Sequence, residues 1–428
     1  MAVTRAQITN LQKQTVTEIQ KFFSEQLTLY KALKTNRLAE HIRWDDNLQL
    51  EIPAQFRLKG APQGMGYSDT NIPLKHADAA MATAKHIYNV AGIINSLRYD
   101  KLIEMLNDVQ ALKLIGRLTA SQWDTFMHQC NIAQHVGVNG RVCAKVTNSD
   151  GGSVLTVPAG EDYTLLYEGL AVEFNDSGQP GFSFTDGTFN AGYYGVISDI
   201  TENNDGTVSV TCVRTDGSTP AAFTAAHSEQ PLYMVSCYAR LPQGFADFRA
   251  VGNTIGGAVR AGRYNPVVID ASGDTFFQNN PFRAIHEMRL RINRKGRFKV
   301  DTLYTDSYTF AWLCDKLSAS IQRDNTVEMV GFSTNVRLIS SKKENDLYLV
   351  DDPDAPLGNI DLFPSKNVWI ATLGKDEPGY VDDGEYHAQR VPGYLVNEIA
   401  IWWLLQVGLY DLGQWGCFKN CHKLFMGK

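Results

Sequence analysis

The sequence GTVSVTCVRT, residues 206–215, alternates apolar and polar side chains at every second position. The same alternation occurs in VLTVPAG (154–160), GLAVEFND (169–176) and YYGVISDI (193–200). Short runs with a period of two, separated by turns such as Thr-Asp-Gly and Asn-Asn-Asp-Gly, are typical of antiparallel strands. We therefore predict an all-β region over residues 137–238, which forms a small barrel or sandwich.

This β-rich region is also acidic. Residues 146–229 contain twelve Asp and Glu side chains, one Arg and no Lys, whereas the first 43 residues contain seven Lys and Arg and three Glu. Such a separation of charge indicates two working faces, one that tolerates polyanions and one that presents acidic loops to solvent. A shell subunit around nucleic acid needs this separation, and a compact enzyme has no general need for it.

The length and composition of the chain set broad limits. Its 428 residues, 44% of them hydrophobic, predict roughly two to three domains. The net charge of −6 argues against a free-standing nucleic-acid binder, which usually has a strongly basic domain. Residues 1–10 have no apolar core of a secretory signal, and the longest apolar run, residues 399–410, is shorter than the about 20 residues of a membrane helix. We expect a protein folded in a cytoplasm and no membrane partner.

Two segments before the β-rich region have contrasting patterns. Residues 83–96 predict a strand. Residues 97–136 predict one long helix, because apolar side chains recur at steps of three and four. The stripe of this helix consists of Leu102, Met105, Leu106, Val109, Leu112, Ile115 and Leu118.

The N-terminal part of the chain has little capacity for a core of its own. Residues 45–76 contain three prolines and three glycines between short alternating stretches, which is unusual inside a compact domain and predicts a projecting β-hairpin loop. Residues 4–34 predict an amphipathic helix with Lys13 and Lys21 among its polar positions. This helix either docks on its own domain or forms an arm that reaches a neighbouring subunit.

The C-terminal half mixes helices and strands. Residues 281–299 carry seven Lys and Arg and one Glu on a predicted helix and its exit, which form either a solvated basic face or a contact with a nucleic-acid backbone. Residues 301–323 predict a strand followed by a helix. Residues 326–350 and 361–372 predict strands around an acidic loop, and the apolar residues 396–410 predict buried core.

The sequence contains no convincing catalytic or metal-binding signature. The patterns HExxH, GxSxG and the Walker loop are absent, so we predict neither enzymatic activity nor a cofactor. The acidic loop, with Asp351, Asp352 and Asp354, lacks the glycine and the bidentate Glu of an EF-hand and predicts a solvated loop.

The seven cysteines are odd in number and lie mostly among apolar neighbours, which favours buried free thiols. Cys417 and Cys421 precede His422, but no second ligand pair has the spacing of a zinc site, so we predict no metal. The isolated cysteines are Cys130, Cys143, Cys212, Cys237 and Cys314.

The order of these parts resembles the major capsid protein of tailed bacteriophages, which has the Hong Kong 97-like fold. The resemblance extends over residues 1–420 by arrangement. It is carried locally by NGRVCAKVTNSDGGSVLTV (139–157), LYEGLAVEFND (166–176), YYGVISDITENNDGTVSVTC (193–212), FKVDTLYTDSYTFAWLCDKL (298–317) and VGLYDLGQWGCFKN (407–420).

The resemblance implies an α+β fold that combines an arm, an extended loop, a spine helix, peripheral and axial domains and an inserted small β-barrel or sandwich domain. The implied ranges are an N-terminal helical arm at 1–44, the extended β-hairpin loop at 45–82, the spine helix with part of the peripheral domain at 83–146, the β-rich insertion at 147–236, the continued peripheral domain at 237–299, the axial domain at about 300–395 and C-terminal core strands at 396–428.

The resemblance also implies a function. The chain is expected to assemble with itself, as hexamers and pentamers, into the icosahedral shell of a virion that encloses double-stranded DNA. The arm and the extended loop would contact neighbouring subunits, and scaffolding, portal and decoration proteins are further candidate partners. Assembly is expected in the host cytoplasm. Contacts to DNA phosphates, without sequence readout, are expected from Lys13, Lys21, Arg289, Arg291, Arg294, Lys295 and Arg297.

Two other functions remain open at this point. The chain is either another phage structural part, associated with a tail or a portal, or a protein that binds or hydrolyses carbohydrate through its acidic β insertion. In the second case tyrosines would provide stacking faces and nearby carboxylates the chemistry. The candidate tyrosines are Tyr163, Tyr167, Tyr193 and Tyr194.

Overall fold

The structure is a computed structural model in which part of the chain is described. The described residues are 43–44, 49–53, 85–89, 91–100, 108–148, 152–174, 182–183, 188–189, 194–214, 218, 227–235, 237–238, 240–296, 298–316, 336–338, 347–372, 378–381, 388–390 and 396–421. The predicted arm helix at residues 4–34, with Lys13 and Lys21, lies outside them.

Helices and strands alternate along the described chain. The helices are α1 (Asp108–Val136), α2 (Phe245–Arg249), α3 (Thr275–Asn279), α4 (Pro281–Lys295) and α5 (Ser307–Lys316).

The strands of the first half are β1 (Arg43–Trp44), β2 (Gln49–Pro53), β3 (Lys85–Asn89), β4 (Gly92–Asp100), β5 (Arg141–Asn148), β6 (Val154–Val157), β7 (Ala171–Glu173), β8 (Phe182–Ser183), β9 (Thr188–Phe189), β10 (Tyr194–Glu202), β11 (Val208–Val213) and β12 (His227–Met234). Those of the second half are β13 (Thr254–Ile255), β14 (Ala258–Val259), β15 (Val267–Asp270), β16 (Thr302–Thr305), β17 (Val336–Leu338), β18 (Leu347–Asp351), β19 (Ile360–Phe363), β20 (Val368–Thr372), β21 (Gly379–Tyr380), β22 (Ala388–Arg390), β23 (Val396–Leu409) and β24 (Gly416–Lys419).

The boundary between strand and long helix differs from the prediction. The sequence predicted a helix from residue 97, but β4 continues to Asp100 and α1 begins at Asp108. The reason is tertiary: β4 pairs antiparallel with β23 along its whole length, from Gly92 opposite Leu404 to Asp100 opposite Val396. Long-range pairing overrides the local helical pattern. The stripe residues Leu102, Met105 and Leu106 lie outside the described residues.

The longest strand, β23, organises one sheet. It pairs antiparallel with β4 over residues 396–404 and with β20 over residues 405–409, and β21 and β22 pair with it within residues 397–402; the order β20-β23-β21 places β20 and β21 on opposite sides of it. Helix α1 packs across this sheet, where Gln122 Nε2 donates to the Ile399 carbonyl at 2.9 Å and Trp123 Nε1 donates to Tyr380 Oη at 2.8 Å. The apolar run predicted to be buried core is therefore a core strand.

The acidic β-rich region forms a closed barrel with strand order β10-β11-β6-β5-β12-β7. Its inward side chains are fully buried, as the alternating pattern predicts. The barrel begins with Arg141 of β5, ahead of the predicted boundary at residue 147. The fully buried residues include Val146, Leu155, Val157, Val172, Val210, Cys212 and Leu232.

A second, six-stranded sheet has the order β15-β24-β19-β16-β18-β17. Its pairings mix parallel neighbours, β15 with β24 and β16 with β18, with antiparallel ones. The apolar faces of α4 and α5 are buried with this sheet in one cluster. The range 300–395 contributes strands to both sheets, because β20, β21 and β22 pair with β23.

No helix within the described ranges has both the length and the apolar character that crossing a membrane requires.

Candidate nucleic-acid interface

Helix α4 presents the basic segment that the sequence singled out. Pro281 occupies its first turn, where a missing N–H is tolerated, and the helix ends before Gly296. Ile285, Met288 and Ile292 recur at steps of three and four and are buried against the six-stranded sheet. Burial of this face leaves the opposite face of α4 to solvent.

The exposed face of α4 is positively charged. Arg283, Arg291 and Arg294 are exposed there. Arg283 Nε lies 3.5 Å from Glu287 Oε1, one turn on, so part of its charge is compensated within the helix. Arg294 lies in the last turn, where a cation interacts favourably with the helix dipole. Arg291 and Arg294 are thus the predicted DNA-facing residues that the structure brings together on one exposed face.

Two predicted members of this interface, Arg289 and Lys295, make contacts inside the subunit instead. Arg289 is buried, and its Nε donates to the Val300 carbonyl at 2.8 Å, because position 289 turns toward the sheet with Met288 and Ile292. It does not belong to the exposed face, which corrects the prediction for this residue. Arg297 lies outside the described residues.

Lys295 is half-buried at the end of α4. Its Nζ donates to the Asn265 carbonyl at 2.7 Å. Burial and then the positive charge of Arg260 lower the pKa of Lys295. Its ammonium group therefore supports a loop of the same subunit.

Behind this interface lies a buried ion pair between α2 and β19. Arg249 Nε donates to both carboxylate oxygens of Asp361, at 3.0 and 3.1 Å, and its Nη2 also donates to Oδ2. Trp415 Nε1 donates to the same carboxylate at 3.0 Å. Burial opposes the charge of Arg249, but the Asp361 carboxylate more than compensates and raises the pKa of the guanidinium. Neither residue was singled out from the sequence.

A second buried guanidinium holds the segment around β13 and β14. Arg260 is 1% exposed, and its guanidinium donates to several backbone carbonyls. One of these, Leu412 O at 2.7 Å, belongs to the turn after β23. The group therefore ties this segment to the C-terminal strands. It also donates to the carbonyls of Asp247, Phe248, Ala250 and Tyr264.

The acidic loop of residues 352–354, expected to be solvated, is partly buried. Asp352 is 0% exposed, and His135 of α1 lies 2.9 Å from it. Donors from the protein stabilise this carboxylate in place of water, which is why the expectation from composition was wrong. Within the described ranges, no group of three or more His, Cys, Asp or Glu side chains is arranged to hold a metal ion.

The described candidate tyrosines have separate partners within the fold. Tyr163 Oη donates to Glu202 at the barrel surface, while the Tyr167 ring packs on His128 of α1 with centroids 4.5 Å apart. Tyr194 lies in β10, and Tyr193 is outside the described residues. These placements do not favour the carbohydrate hypothesis.

The cysteines are free thiols. Cys130, Cys143, Cys212, Cys417 and Cys421 are buried, whereas Cys237 and Cys314 are only partly buried. Burial raises the pKa of the Cys143, Cys212 and Cys237 thiols to about 12. These three side chains are therefore protonated and poor nucleophiles near neutral pH. His422, the third residue of the possible metal motif, lies outside the described residues.

Comparison with protein-family models gives no match, and comparison with the sequences of curated proteins gives none at a significant level.

Comparison with solved structures does give matches over most of the chain. The capsid asymmetric unit of cyanophage A-1(L) has a TM-score of 0.43 and 8% identity, and the match covers 91% of this chain and 92% of that one. The capsid of Myoviridae phage XM1 gives 0.40 and 7%, with 90% of each chain covered. The satellite phage P4 procapsid, including size determination (Sid) protein, gives 0.34 and 8%, with 95% and 99% covered. These structural neighbours are phage capsids, the class that the sequence resembles, at TM-scores below 0.5.

Proposed function

We propose that this chain is the major capsid protein of a tailed bacteriophage, and that copies of it assemble into an icosahedral shell around double-stranded DNA. Its role in this proposal is structural and not enzymatic. Its partners are further copies of itself, as hexamers and pentamers, and the packaged DNA, with scaffolding, portal and decoration proteins as additional candidates. Its location is the virion, after assembly in the host cytoplasm.

The observation that carries this proposal is the order of parts along the chain. A hairpin base (β2 with β3) leads into the edge strand β4, then into the 29-residue helix α1, then into a closed barrel, and finally into a six-stranded sheet. The last two strands return to the two sheets: β23 pairs with β4 from the first half of the chain, and β24 pairs with β19 in the six-stranded sheet. This is the order expected of spine helix, insertion and two further domains.

The hairpin base supports the predicted extended loop. β2 and β3 pair antiparallel from Gln49 opposite Asn89 to Pro53 opposite Lys85, so residues 54–84 connect two adjacent strands. A connection of this length has no need to contribute to the core of its own subunit. In a shell, a neighbouring subunit would bury it, and obligate interfaces of this kind commonly exceed about 2,000 Å².

The acidic surface of the barrel and the basic surface of α4 support a shell with an acidic outer side and a basic inner side. The barrel contains strands from the acidic region, with exposed carboxylates such as Asp199, Glu202 and Asp205. Arg291 and Arg294 are exposed on α4, which covers the other sheet. We place the barrel on the outer surface and the basic face toward DNA, where it would contact phosphates without reading sequence.

In this proposal residues 1–44 form the arm, residues 45–82 the extended loop and α1 the spine helix. The peripheral domain combines residues 83–146 with 237–299, the insertion spans 147–236, the axial domain lies within about 300–395, and residues 396–428 supply core strands.

Negative-stain electron microscopy of the purified full chain, expressed without other viral proteins, tests the proposal. Closed polyhedral particles or hexamer- and pentamer-sized rings are expected. A chain that stays monomeric across salt and protein concentration, and also in the presence of a co-expressed candidate scaffolding protein, would contradict the proposal. Open tubes would instead identify a tail protein.

A further inference from the structure

We infer that the contact between α1 and the acidic loop is a carboxylate-dependent lock, which fixes α1 on the six-stranded sheet and opens locally when its carboxylates lose their charge. The lock consists of His128, Asn131 and His135 on α1 and of Asp352 and Asp354 in the loop. It belongs to the single subunit and would operate whether or not the chain forms a shell.

The buried half of the lock is built around Asp352. His135 Nε2 lies 2.9 Å from Asp352 Oδ2, and the two side chains are 1% and 0% exposed. The Tyr304 hydroxyl of β16 donates to the same oxygen, and the backbone N–H of Asp354 donates to Oδ1 at 3.0 Å. One carboxylate thus joins the helix, the sheet and the loop.

The outer half of the lock uses the next loop carboxylate. Asn131 Nδ2 donates to Asp354 Oδ2 at 2.7 Å, and His128 Nδ1 lies 3.2 Å from Asp354 Oδ1. Positions 128, 131 and 135 follow the helical repeat and share one face of α1. Their partners are more than 200 positions away in sequence, so these contacts cross between distant parts of the fold.

The lock requires the charge of Asp352. Burial raises the pKa of this carboxyl, whereas the hydrogen bonds that it accepts from His135 and Tyr304 lower it, and its pKa lies below the ordinary value. A neutral carboxyl would bring a donor into a site already filled with donors. His135 cannot readily become an acceptor at Nε2, because its proton would then move to Nδ1. The buried Nδ1 has no hydrogen-bond partner among the described residues, so a proton there would be unpaired.

Further carboxylates lie around the lock and repel one another. Burial raises the pKa of Asp351, and the negative charges of Asp352 and Asp306 raise it further, so several carboxylates lie close together at this site. Since these groups are acidic, the donors on α1 and Tyr304 are what keep the loop in place. Loss of the donor–carboxylate contacts should therefore free the loop instead of letting it settle elsewhere.

Hydrogen exchange of the full chain at neutral pH, followed by mass spectrometry, tests the lock. Asp352→Asn mimics the uncharged carboxyl, and Asp354→Asn is a milder variant at a more exposed position. Each should accelerate exchange at least tenfold in residues 124–136 and 352–355 and leave β23 unchanged. Glu398→Gln is the control, because it removes a partly exposed carboxylate paired with Arg98 at 3.1 Å outside the lock.

Two results would overturn the lock. Unchanged exchange in both Asn variants would show that the carboxylates do not hold α1, and equal acceleration in β23 would show a global loss of stability instead of local opening. In the wild-type chain the same segments should stay protected at pH 5 and open as pH falls through the lowered pKa of Asp352, after correction for the intrinsic exchange rate.

Discussion

At the scale of single residues, the buried ion pair between Arg249 and Asp361 is the contact whose disruption should cost most. Both side chains are within 8% of full burial, so removal of one partner leaves an uncompensated charge out of water. We expect Arg249→Met to lower the free energy of unfolding by about 3–5 kcal/mol, measured by urea denaturation. The control, Arg98→Met, removes an exposed partner of Glu398 and should cost about 0–1 kcal/mol. Equal losses in the two variants would contradict this ranking.

Gly408 should tolerate no side chain. A Cβ atom at this position would lie 2.1 Å from the ring of Trp369, which is rigid and fully buried. We expect Gly408→Ala to destabilise the protein by about 1–3 kcal/mol through overpacking, measured as a lower denaturation midpoint. Gly152→Ala, where a Cβ would meet nothing within 4 Å, is the matched control and should be close to neutral. A neutral Gly408→Ala variant would show that β20 is not held against β23 as described.

At the scale of elements, the turn before β7 contains a carboxylate that opposes folding near neutral pH. Burial raises the pKa of Asp162, although Thr164 donates two hydrogen bonds to it. Because the pKa is higher in the folded state, the folded protein binds more protons between the two pKa values and loses stability as pH rises through that window. Asp162→Asn, whose amide oxygen can still accept both bonds, should raise Tm at pH 7 and give no gain at pH 3.5. A lower Tm at pH 7 would contradict the sign.

The exposed face of α4 should bind DNA through phosphates. We expect the double variant Arg291→Ala/Arg294→Ala to weaken binding to duplexes of unrelated sequence equally and to reduce the salt dependence, d log K/d log[salt], by about 2. Fluorescence anisotropy between 50 and 200 mM salt measures this slope. Arg98→Ala, which removes an exposed cation from the β23 sheet, should leave it unchanged. An unchanged slope in the double variant would exclude this face as the DNA contact.

The sequence predicted those elements whose pattern lies within one short stretch of residues. The alternation at residues 206–215 predicted β11, and the helix expected within residues 281–299 is α4. Steps of four and three lead from Ile285 to Arg289 and Ile292 and place Arg289 on the buried face, a signal that could have removed it from the basic set. By contrast, the end of β4 depends on pairing with β23, about 300 positions away, which no local window contains.

The buried contacts between charged or polar side chains also could not be predicted from local sequence. Arg249 and Asp361 are 112 positions apart, and His135 and Asp352 are 217 apart. Charged residues are mostly exposed, so composition favoured solvent for each of them until their partners were known. Closure of the β-rich region into a barrel, instead of a sandwich, is likewise decided by which strands pair and not by the alternation within each strand.

At the scale of the whole molecule, the central claim is that one chain builds a closed shell with an acidic outside and a basic inside. Cryo-electron microscopy of particles assembled from the full chain tests it most directly, because it reports closure and orientation together. We expect a closed icosahedral particle with the β5–β12 barrel on the outer surface and Arg291 and Arg294 facing the interior. Closed particles with the barrel inside, or no closed particle under any assembly condition, would contradict the claim.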